Sequence, residues 1–292
     1  MGVMTTVNNE PPAGRGYSGL ATLPSSARPS SRRLFSGGGF SVWLSTDPAD
    51  VHAAQRLRYD VFGSEPGFSS EIGDPVSRLD ADRFDEFCDH LLVRDEATGL
   101  LVGCARLLLP VRAIAAGGWY SAGEFDLDEL SSIASQTIEM GRAAVAVGQR
   151  NGSVTALMWA AVLAYLEESG NSYLMGCVSV PLSTPGAPRG SALRGIRDEL
   201  RNRHSAMWQA FPHGGSVIDG VRLDDIEPPA RLVVPPLMRG YLRLGARVCG
   251  EPAIDPIFDC GDFLTVLGAD DADTRYRQRL TETVRRLSEQ GA

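Results

Sequence analysis

The chain has 292 residues, of which 43% are hydrophobic and 22% charged, as is ordinary for a globular protein. Its formal net charge is −8, and so acidic a chain repels phosphate backbones, which argues against a nucleic-acid partner. No stretch approaches the roughly 18 uncharged apolar residues that a membrane-spanning helix needs. The N-terminus has no basic segment followed by an apolar one, so we expect no secretory signal and a cytoplasmic protein.

The cysteines and histidines predict no metal centre. The cysteines form no CxxC pair and lie mostly in apolar runs, which favours reduced core thiols. The histidines show no HExxH spacing and no pairing with cysteine, so we expect no metal site. The five cysteines are Cys88, Cys104, Cys177, Cys249 and Cys260.

The first segment, residues 1–39, is rich in serine, glycine and proline and holds four arginines against one glutamate, a charge of about +3. Such a segment buries too little apolar surface to order itself, so we predict a disordered basic arm. Contact of this arm with anionic lipid at the inner membrane face is left open.

Regular elements follow in chain order. FSVWLS (40–45) predicts a strand, and 47–62 a helix with Asp47 as its cap and Pro48 at its first position. Residues 90–95 and 100–109 predict two strands that form a hairpin.

The centre of the chain predicts a strand, helix, strand unit. Residues 138–147 form the first strand, 153–169 a helix that ends at Gly170, and 173–180 the second strand. This crossover indicates an α/β (α+β) fold with a mixed central sheet flanked by helices.

The last third predicts helices and one further strand. We expect helical structure over 189–210, 235–246 and 271–290, and a strand over 255–268. Tyr276, Leu280, Val284 and Leu287 share one face of the last helix, which packs on the domain or lies on a membrane. The predicted organisation is an arm (1–39), one domain (40–268) and a C-terminal helical extension (269–292).

The turn between the central strand and helix is a candidate anion site. A strand that leads directly into the N-terminus of a helix aims backbone N–H groups at a phosphate. An ordinary structural turn is an equal alternative. The residues of this turn are Gln149, Arg150, Asn151, Gly152 and Ser153.

A set of charged residues is the second candidate feature. Amide formation from a thioester needs a neutral amine, a proton acceptor and N–H donors for the oxyanion. Carboxylates here could hold an amine and take its proton, or the set could be a structural ion-pair network. Glu139 and Arg142 lie on opposite faces of a regular strand unless a bulge re-aims them. The set is Arg58, Asp82, Asp85, Asp89, Arg106, Glu139 and Arg142.

Five ordered blocks within residues 40–268 resemble one family. The chain is similar to the ornithine lipid-forming N-acyltransferases, often labelled hemolysin-like, and its front half is similar to acyl-homoserine-lactone synthases. The blocks are DRFDEFCDHLLVRDEATGLLVGCARLL, GGWYSAGEFDLDEL, EMGR, GCVSVPL and PPLMRGYLRLGARVCGEPAIDPIFDCGDFLTVL.

The resemblance implies a GNAT fold, acyl carrier protein as donor, a 3-hydroxyacyl chain, ornithine as acceptor and lyso-ornithine lipid as product. It implies no permanently bound cofactor, because the acyl-phosphopantetheine thioester is a substrate. Acyl-CoA remains open as the donor. The turn matches the family's pyrophosphate loop at Gln149 and Gly152 and departs from it at Val154.

Site roles also follow from the resemblance. Glu139 is the candidate general base, directly or through water, and the backbone N–H groups of Val145 and Val147 are expected to polarise the thioester. Tyr120 lines the acyl tunnel or anchors a loop, and Cys177 is a core residue or, less simply, a nucleophile. The charged and aromatic positions shared with the lactone synthases, expected to order the acceptor pocket, are Arg58, Phe62, Asp82, Asp85, Arg106, Glu139 and Arg142.

Arginines on two predicted helices are candidate contacts for the acidic carrier protein. A solvated helix face is the alternative. They are Arg194, Arg197 and Arg201 on one helix and Arg239 and Arg243 on the later one, with Arg150 beside the turn.

Three other functions remain open from the sequence. They are a lactone synthase that acts on S-adenosylmethionine, an N-acyltransferase for another amino acid, and a non-catalytic acyl-binding module.

Overall fold

The computed structural model describes residues 30–64, 73–150 and 152–290. Their helices are α1 (Pro48–Phe62), α2 (Pro110–Ala115), α3 (Ser153–Glu168), α4 (Ser191–Arg203), α5 (Pro236–Leu244) and α6 (Thr274–Gln290). Their strands are β1 (Ser31–Gly37), β2 (Phe40–Ser45), β3 (Asp89–Asp95), β4 (Leu101–Leu108), β5 (Phe125–Asp126), β6 (Thr137–Val145), β7 (Tyr173–Pro181), β8 (Phe211–Pro212), β9 (Val217–Ile218), β10 (Val221–Arg222), β11 (Arg247–Val248), β12 (Ala253–Asp255) and β13 (Cys260–Gly268).

The main sheet has the strand order β1-β2-β3-β4-β6-β7-β13-β11, and β12 also pairs with β13. All neighbours are antiparallel except β6 and β7, which are parallel because α3 connects them across the sheet. The predicted mixed α/β sheet flanked by helices is confirmed.

Helix α3 covers one face of the sheet. It is apolar on several sides, and Val154, Leu157 and Ala161 are fully buried in the main core between α3 and strands β2 to β6. Gly152 precedes it with a φ of +91°, a conformation that favours glycine, so the chain turns sharply from β6 into the helix.

The parallel pair β6–β7 holds for only three residues. Thr137, Ile138 and Glu139 pair with Tyr173, Leu174 and Met175, and beyond them β6 pairs only with β4 while β7 pairs only with β13. The two parallel strands therefore separate in the middle of the sheet and leave a gap between them.

Gly176 lies where this separation begins. A Cβ atom at Gly176 would meet the carbonyl oxygen of Met140 at 2.3 Å, which is too close. Gly176→Ala is therefore expected to push the strands apart and to lower the free energy of unfolding by about 1–3 kcal/mol, with loss of activity. Urea unfolding measures this. Gly141→Ala, on β6 with open space around it, is the control and should cost less than half as much.

The first strand corrects the predicted arm. Residues 31–37 form β1, which pairs antiparallel with β2, so disorder up to residue 39 is wrong for this part. Gly38 and Gly39 supply the positive φ values of the connecting turn, and Phe35 packs against the core. Residues 1–29 of the predicted arm lie outside the described residues.

The remaining predicted elements agree in type but not always in extent. Helix α4 ends at Arg203, so the predicted helix over 189–210 is wrong for its last residues. Helix α6 packs against α3 and β1, with Leu280 buried. The side chains of Tyr276, Val284 and Leu287 lie outside the described part of that helix.

Among the described residues, no helix combines the length and apolar character needed to cross a membrane.

Candidate active site

A buried ion-pair network covers one side of the sheet beside β6. Arg58 on α1 is 1% exposed. Its Nε atom lies 2.7 Å from Asp80 and its Nη2 atom lies 2.9 Å from Asp85. Arg58 therefore points from α1 into the protein, and the segment before β3, which carries Asp80 and Asp85, covers it.

Asp85 is shared between two arginines. Arg106 on β4 donates from Nη1 to Asp82 at 2.6 Å and to Asp85 at 3.1 Å. Burial opposes ionisation of Asp85, but the charges of Arg58 and Arg106 outweigh it and lower its pKa to about 2. Asp85 is therefore ionised at neutral pH.

A bulge in β6 brings Arg142 into the same network. Cys104 pairs with Ala144 and Arg106 with Gly141, so two residues of β6 lie opposite one residue of β4. Arg142 takes a φ of +52° at this bulge. The bulge is the irregularity that lets Arg142 point to the acidic segment.

The guanidinium of Arg142 contacts charged and aromatic groups. Its Nε lies 3.2 Å from Asp80, and its Nη1 donates to the hydroxyl of Tyr120 at 3.0 Å. The rings of Tyr120 and Phe258 lie 4.8 and 5.2 Å from its centre. Tyr120 thus anchors its loop to Arg142. Phe62 packs edge to face on the ring of Phe258 at 5.8 Å and so lies next to the same guanidinium.

Glu139 lies at the last paired position before the gap. It is 4% exposed, and its carboxylate accepts from the backbone N–H groups of Tyr120 at 2.7 Å and Ser121 at 2.8 Å, and from the Ser121 hydroxyl. Burial raises the pKa of Glu139, although these hydrogen bonds oppose the rise. A carboxyl group with a raised pKa beside a cleft suits proton transfer near neutral pH.

The gap between β6 and β7 exposes backbone donors. The N–H of Ala146 donates to Val102 of β4 at 2.8 Å. Because N–H groups alternate direction along a strand, the N–H of Val145 points away from β4, toward the gap. Val147 lies in the following turn and is 72% exposed.

An apolar cleft of about 20 Å³, room for a water molecule, lies at the gap. Trp159 of α3 and Tyr241 of α5 meet edge to face at 4.8 Å in its wall. Met140, Gly176 and Cys177 complete the side formed by the strands. Burial raises the pKa of the Cys177 thiol, so it is protonated, as a core residue would be.

The candidate anion turn leads directly into α3. Gln149 donates its N–H to Ala146 at 3.0 Å, and Arg150 is exposed. Gly152 is the N-cap of the helix and Ser153 its first residue. Asn151 lies outside the described residues.

Sequence reasoning missed a group of acids on the other side of the gap. Burial and the charges of Asp262 and Asp255 raise the pKa of Glu124 to about 9. Burial raises the pKa of Asp262 to about 6, with Asp255 adding to the rise. The Glu124 Oε2 atom is buried without a hydrogen-bond partner. The segment DPIFDCGD contains Asp255 and Asp262, so their closeness could be read from the sequence. Nothing in the sequence indicates that Glu124 lies near them.

Within the described residues, one group has the spacing for a metal ion. The donor atoms of Asp255, Cys260 and Asp262 lie within 4.8 Å of one another. Burial raises the pKa of the Cys260 thiol, which disfavours the thiolate form that metals prefer. The absence of a metal stays a prediction.

The predicted docking face on α4 is wrong for Arg197. That side chain is 3% exposed and pairs with Asp224 at 2.5 Å and with Glu251. Arg194 pairs with Asp198 at 2.8 Å, so it also binds its own domain. Of the proposed carrier contacts, those in exposed positions are Arg150, Arg201, Arg239 and Arg243.

Comparison with known proteins identifies the class. Residues 57–160, from within α1 to the middle of α3, match the family model described as acetyltransferase (GNAT) domain. The matched region contains the ion-pair network, Glu139 and the anion turn. The chain is a GNAT-type acyltransferase.

Curated relatives narrow the family. The L-ornithine N(alpha)-acyltransferase of Brucella abortus (strain 2308) is 33% identical over 247 residues, 82% of this chain and 88% of the relative. The enzyme of the same name from Rhizobium meliloti (strain 1021) is 33% identical over 260 residues, 86% and 87% of the two chains. The chain belongs to the L-ornithine N(alpha)-acyltransferase family.

Solved structures that resemble this one include a CoA-dependent acyl-homoserine lactone synthase, BjaI, with SAM and isopentyl-CoA. Its TM-score is 0.46 at 15% identity, and the match covers 81% of this chain and 83% of that one. FeeM, an N-acyl amino acid synthase from uncultured soil microbes, has a TM-score of 0.42 at 13% identity over 84% and 94% of the two chains.

Proposed function

We propose that this N-acyltransferase moves a 3-hydroxy fatty acyl group from acyl carrier protein to the α-amine of ornithine, giving lyso-ornithine lipid. The observation that carries the proposal is the gap between β6 and β7, which has the Val145 N–H on one side and Glu139 at its base. A thioester in this gap has an oxyanion donor beside it, and a buried carboxylate lies close to the gap.

The donor follows the course of β6 into α3. Its thioester carbonyl accepts from the N–H of Val145, with that of Val147 further along, and its phosphate reaches the turn at Gly152 and the N-terminus of α3. The apolar walls formed by Trp159 and Tyr241 suit the acyl chain, and the closed cleft must widen to admit it.

Acyl carrier protein is the proposed source of the thioester. It is an acidic protein, and exposed arginines attract it. Arg239 and Arg243 are exposed on α5, on either side of Tyr241, which packs on Trp159 at the cleft. Arg150 is exposed beside the anion turn. These three arginines replace the α4 face as the proposed docking contacts.

Amide formation then needs an unprotonated amine. The amine nitrogen attacks the thioester carbon, and the oxygen takes negative charge that the backbone N–H groups stabilise. Glu139 accepts the proton that the nitrogen loses, and the phosphopantetheine thiolate leaves and is protonated. In this proposal the ion pairs of Arg58, Asp82, Asp85 and Arg106 hold the loop of Tyr120 over Glu139. Arg142 pairs with the acceptor's α-carboxylate.

The buried acids that the sequence did not reveal support an acceptor that carries a second, cationic amine. Glu124 and Asp262 are buried near Arg142, and the pKa values of both carboxyl groups are raised. Buried charges of one sign are costly unless an opposite charge joins them. Ornithine carries a second ammonium group that would supply this charge.

Asp262→Asn is expected to raise the KM for ornithine by about 10-fold or more, because a hydrogen bond to a charged group contributes about 1.5–3 kcal/mol. The KM for norvaline, which lacks the second amine, should change little. Steady-state kinetics with both acceptors measures the difference. The control is Asp219→Asn, an exposed acid. Equal changes in the KM values of ornithine and norvaline would show that Asp262 does not bind the second amine.

Incubation with 3-hydroxyacyl carrier protein or 3-hydroxyacyl-CoA and a panel of amines tests the proposed function. Mass spectrometry should show N-acylornithine, formed faster from the carrier protein. An acylated product from S-adenosylmethionine or from another amino acid, instead of from ornithine, would identify that compound as the acceptor. No product with any amine would indicate a non-catalytic module.

A further inference from the structure

Glu139 has no open path to the cleft. Both of its oxygens accept hydrogen bonds, from the backbone N–H groups of Tyr120 and Ser121 and from the Ser121 hydroxyl, and the side chain is 4% exposed. A substrate amine in the gap therefore needs an intermediate group to pass its proton to this carboxylate.

Ser121 and Cys177 fill the space between. Ser121 is 1% exposed, and its Oγ lies 3.5 Å from the Sγ of Cys177, which lines the cleft. A carboxylate only accepts hydrogen bonds, so the single proton of the Ser121 hydroxyl points to Glu139. The oxygen of Ser121 then accepts from the Cys177 thiol.

The three groups form a continuous chain with one direction. The thiol donates to the hydroxyl, and the hydroxyl donates to the carboxylate. Cys177 meets the cleft at one end, and Glu139 holds the vacant proton position at the other. Among the described residues no other side-chain hydrogen bond connects Glu139 with the cleft lining.

We infer that Cys177 and Ser121 relay the proton of the attacking amine to Glu139. The inference rests on the proposed function. As the N–H bond breaks, Cys177 sulfur gains that proton while its own proton moves to Ser121 oxygen. The Ser121 proton moves to Glu139, which becomes a neutral acid. The reverse shift returns a proton from Glu139 to the departing phosphopantetheine thiolate, so protons and charge balance over the cycle.

The relay and simple core packing predict different effects at Cys177. A packing role depends on size, so alanine and serine, both smaller than cysteine, would be tolerated alike. A relay depends on a transferable proton, so serine retains it and alanine does not. The pair of variants therefore separates the two roles.

Cys177→Ala is expected to lower kcat by about 10²-fold, the usual contribution of positioned proton transfer, with little change in either KM. Cys177→Ser should keep kcat within about 10-fold of the wild-type value. Cys249→Ala, at a buried cysteine away from the relay, is the control and should match the wild type. Circular dichroism and urea unfolding check that each variant folds.

Equal activity of the alanine and wild-type enzymes, or equal losses in Cys177→Ala and Cys177→Ser, would overturn the relay. Ser121→Ala supplies a second measurement and should lose as much kcat as Cys177→Ala, because the chain is broken at its centre. Failure of the wild type to form any amide would instead overturn the proposed function. The two failures are thus distinguishable.

Discussion

Glu139→Gln lowers kcat for amide formation by about 10²-fold or more, because the amide cannot accept a proton at neutral pH. The variant keeps the shape of the side chain and one acceptor for the Ser121 groups. Single-turnover kinetics with a preloaded donor measures the chemical step, and Glu168→Gln, an exposed acid on α3, is the control. Unchanged kcat in a folded Glu139→Gln enzyme would show that another group takes the proton.

The wild-type rate should also depend on pH in a defined direction. Burial raises the pKa of Glu139, and the facing groups are Tyr120 and Ser121 on the loop and Arg106 on β4. A base acts in its deprotonated form, so the rate is full above this pKa and falls as the pH drops through it. The fall therefore begins at a higher pH than for an ordinary carboxylate, and Glu139→Gln should lose it.

Asp85→Asn has the largest expected effect on stability. It leaves Arg58 and Arg106 buried without their shared carboxylate, and removal of one partner from a buried ion pair costs about 3–5 kcal/mol. Urea unfolding at pH 7 measures the loss. Asp60→Asn, which removes an exposed partner of Arg78, is the control and should cost at most about 1 kcal/mol.

Low pH should remove the contribution of the Asp85 carboxylate to the free energy of unfolding. The pKa of Asp85 is about 2 in the folded state against an ordinary value of 3.8, so the folded state binds this proton less readily than the unfolded state. The stabilisation is full above the unfolded pKa and is lost as the pH falls toward 2. The stabilities of the wild type and Asp85→Asn should therefore begin to converge below pH 4 and should meet as the pH falls through about 2. A constant difference down to pH 2 would contradict the assignment.

Local patterns predicted the elements that hold the site. The β6, turn, α3 and β7 unit has its own periodicity and glycines, and Asp47 caps α1 through the N–H of Ala49 as expected. The charged set was a candidate feature of the sequence, and in the structure Asp85 contacts both Arg58 and Arg106. These features depend on residues close in sequence or on residue types at positions shared with a known family.

Features that depend on distant partners could not be predicted. The segment of β1 has the composition of a flexible arm, and its pairing with β2 orders it. Arg197 falls on a regular helix face, but Asp224 and Glu251 come from later loops and bury it. Glu124 and Asp262 are far apart in sequence, and only the folded sheet brings the charge of Asp262 close enough to raise the pKa of Glu124.

The bulge at Arg142 is an intermediate case. The strand around it was predicted, but alternation alone places Arg142 opposite to Glu139. One extra residue in β6 changes that direction and gives Arg142 its left-handed backbone. No residue type in EMGR requires a bulge, so the sequence leaves the direction of this side chain open.

The most direct test of the account is the position of the acyl group in the product. Purified protein is incubated with 3-hydroxyacyl carrier protein and ornithine labelled with ¹⁵N at the α-amine, and fragment masses locate the amide nitrogen. The account predicts an amide at the labelled α-nitrogen, with one free thiol released for each amide formed. An amide at the unlabelled side-chain nitrogen, or thiol release without an amide, would contradict it.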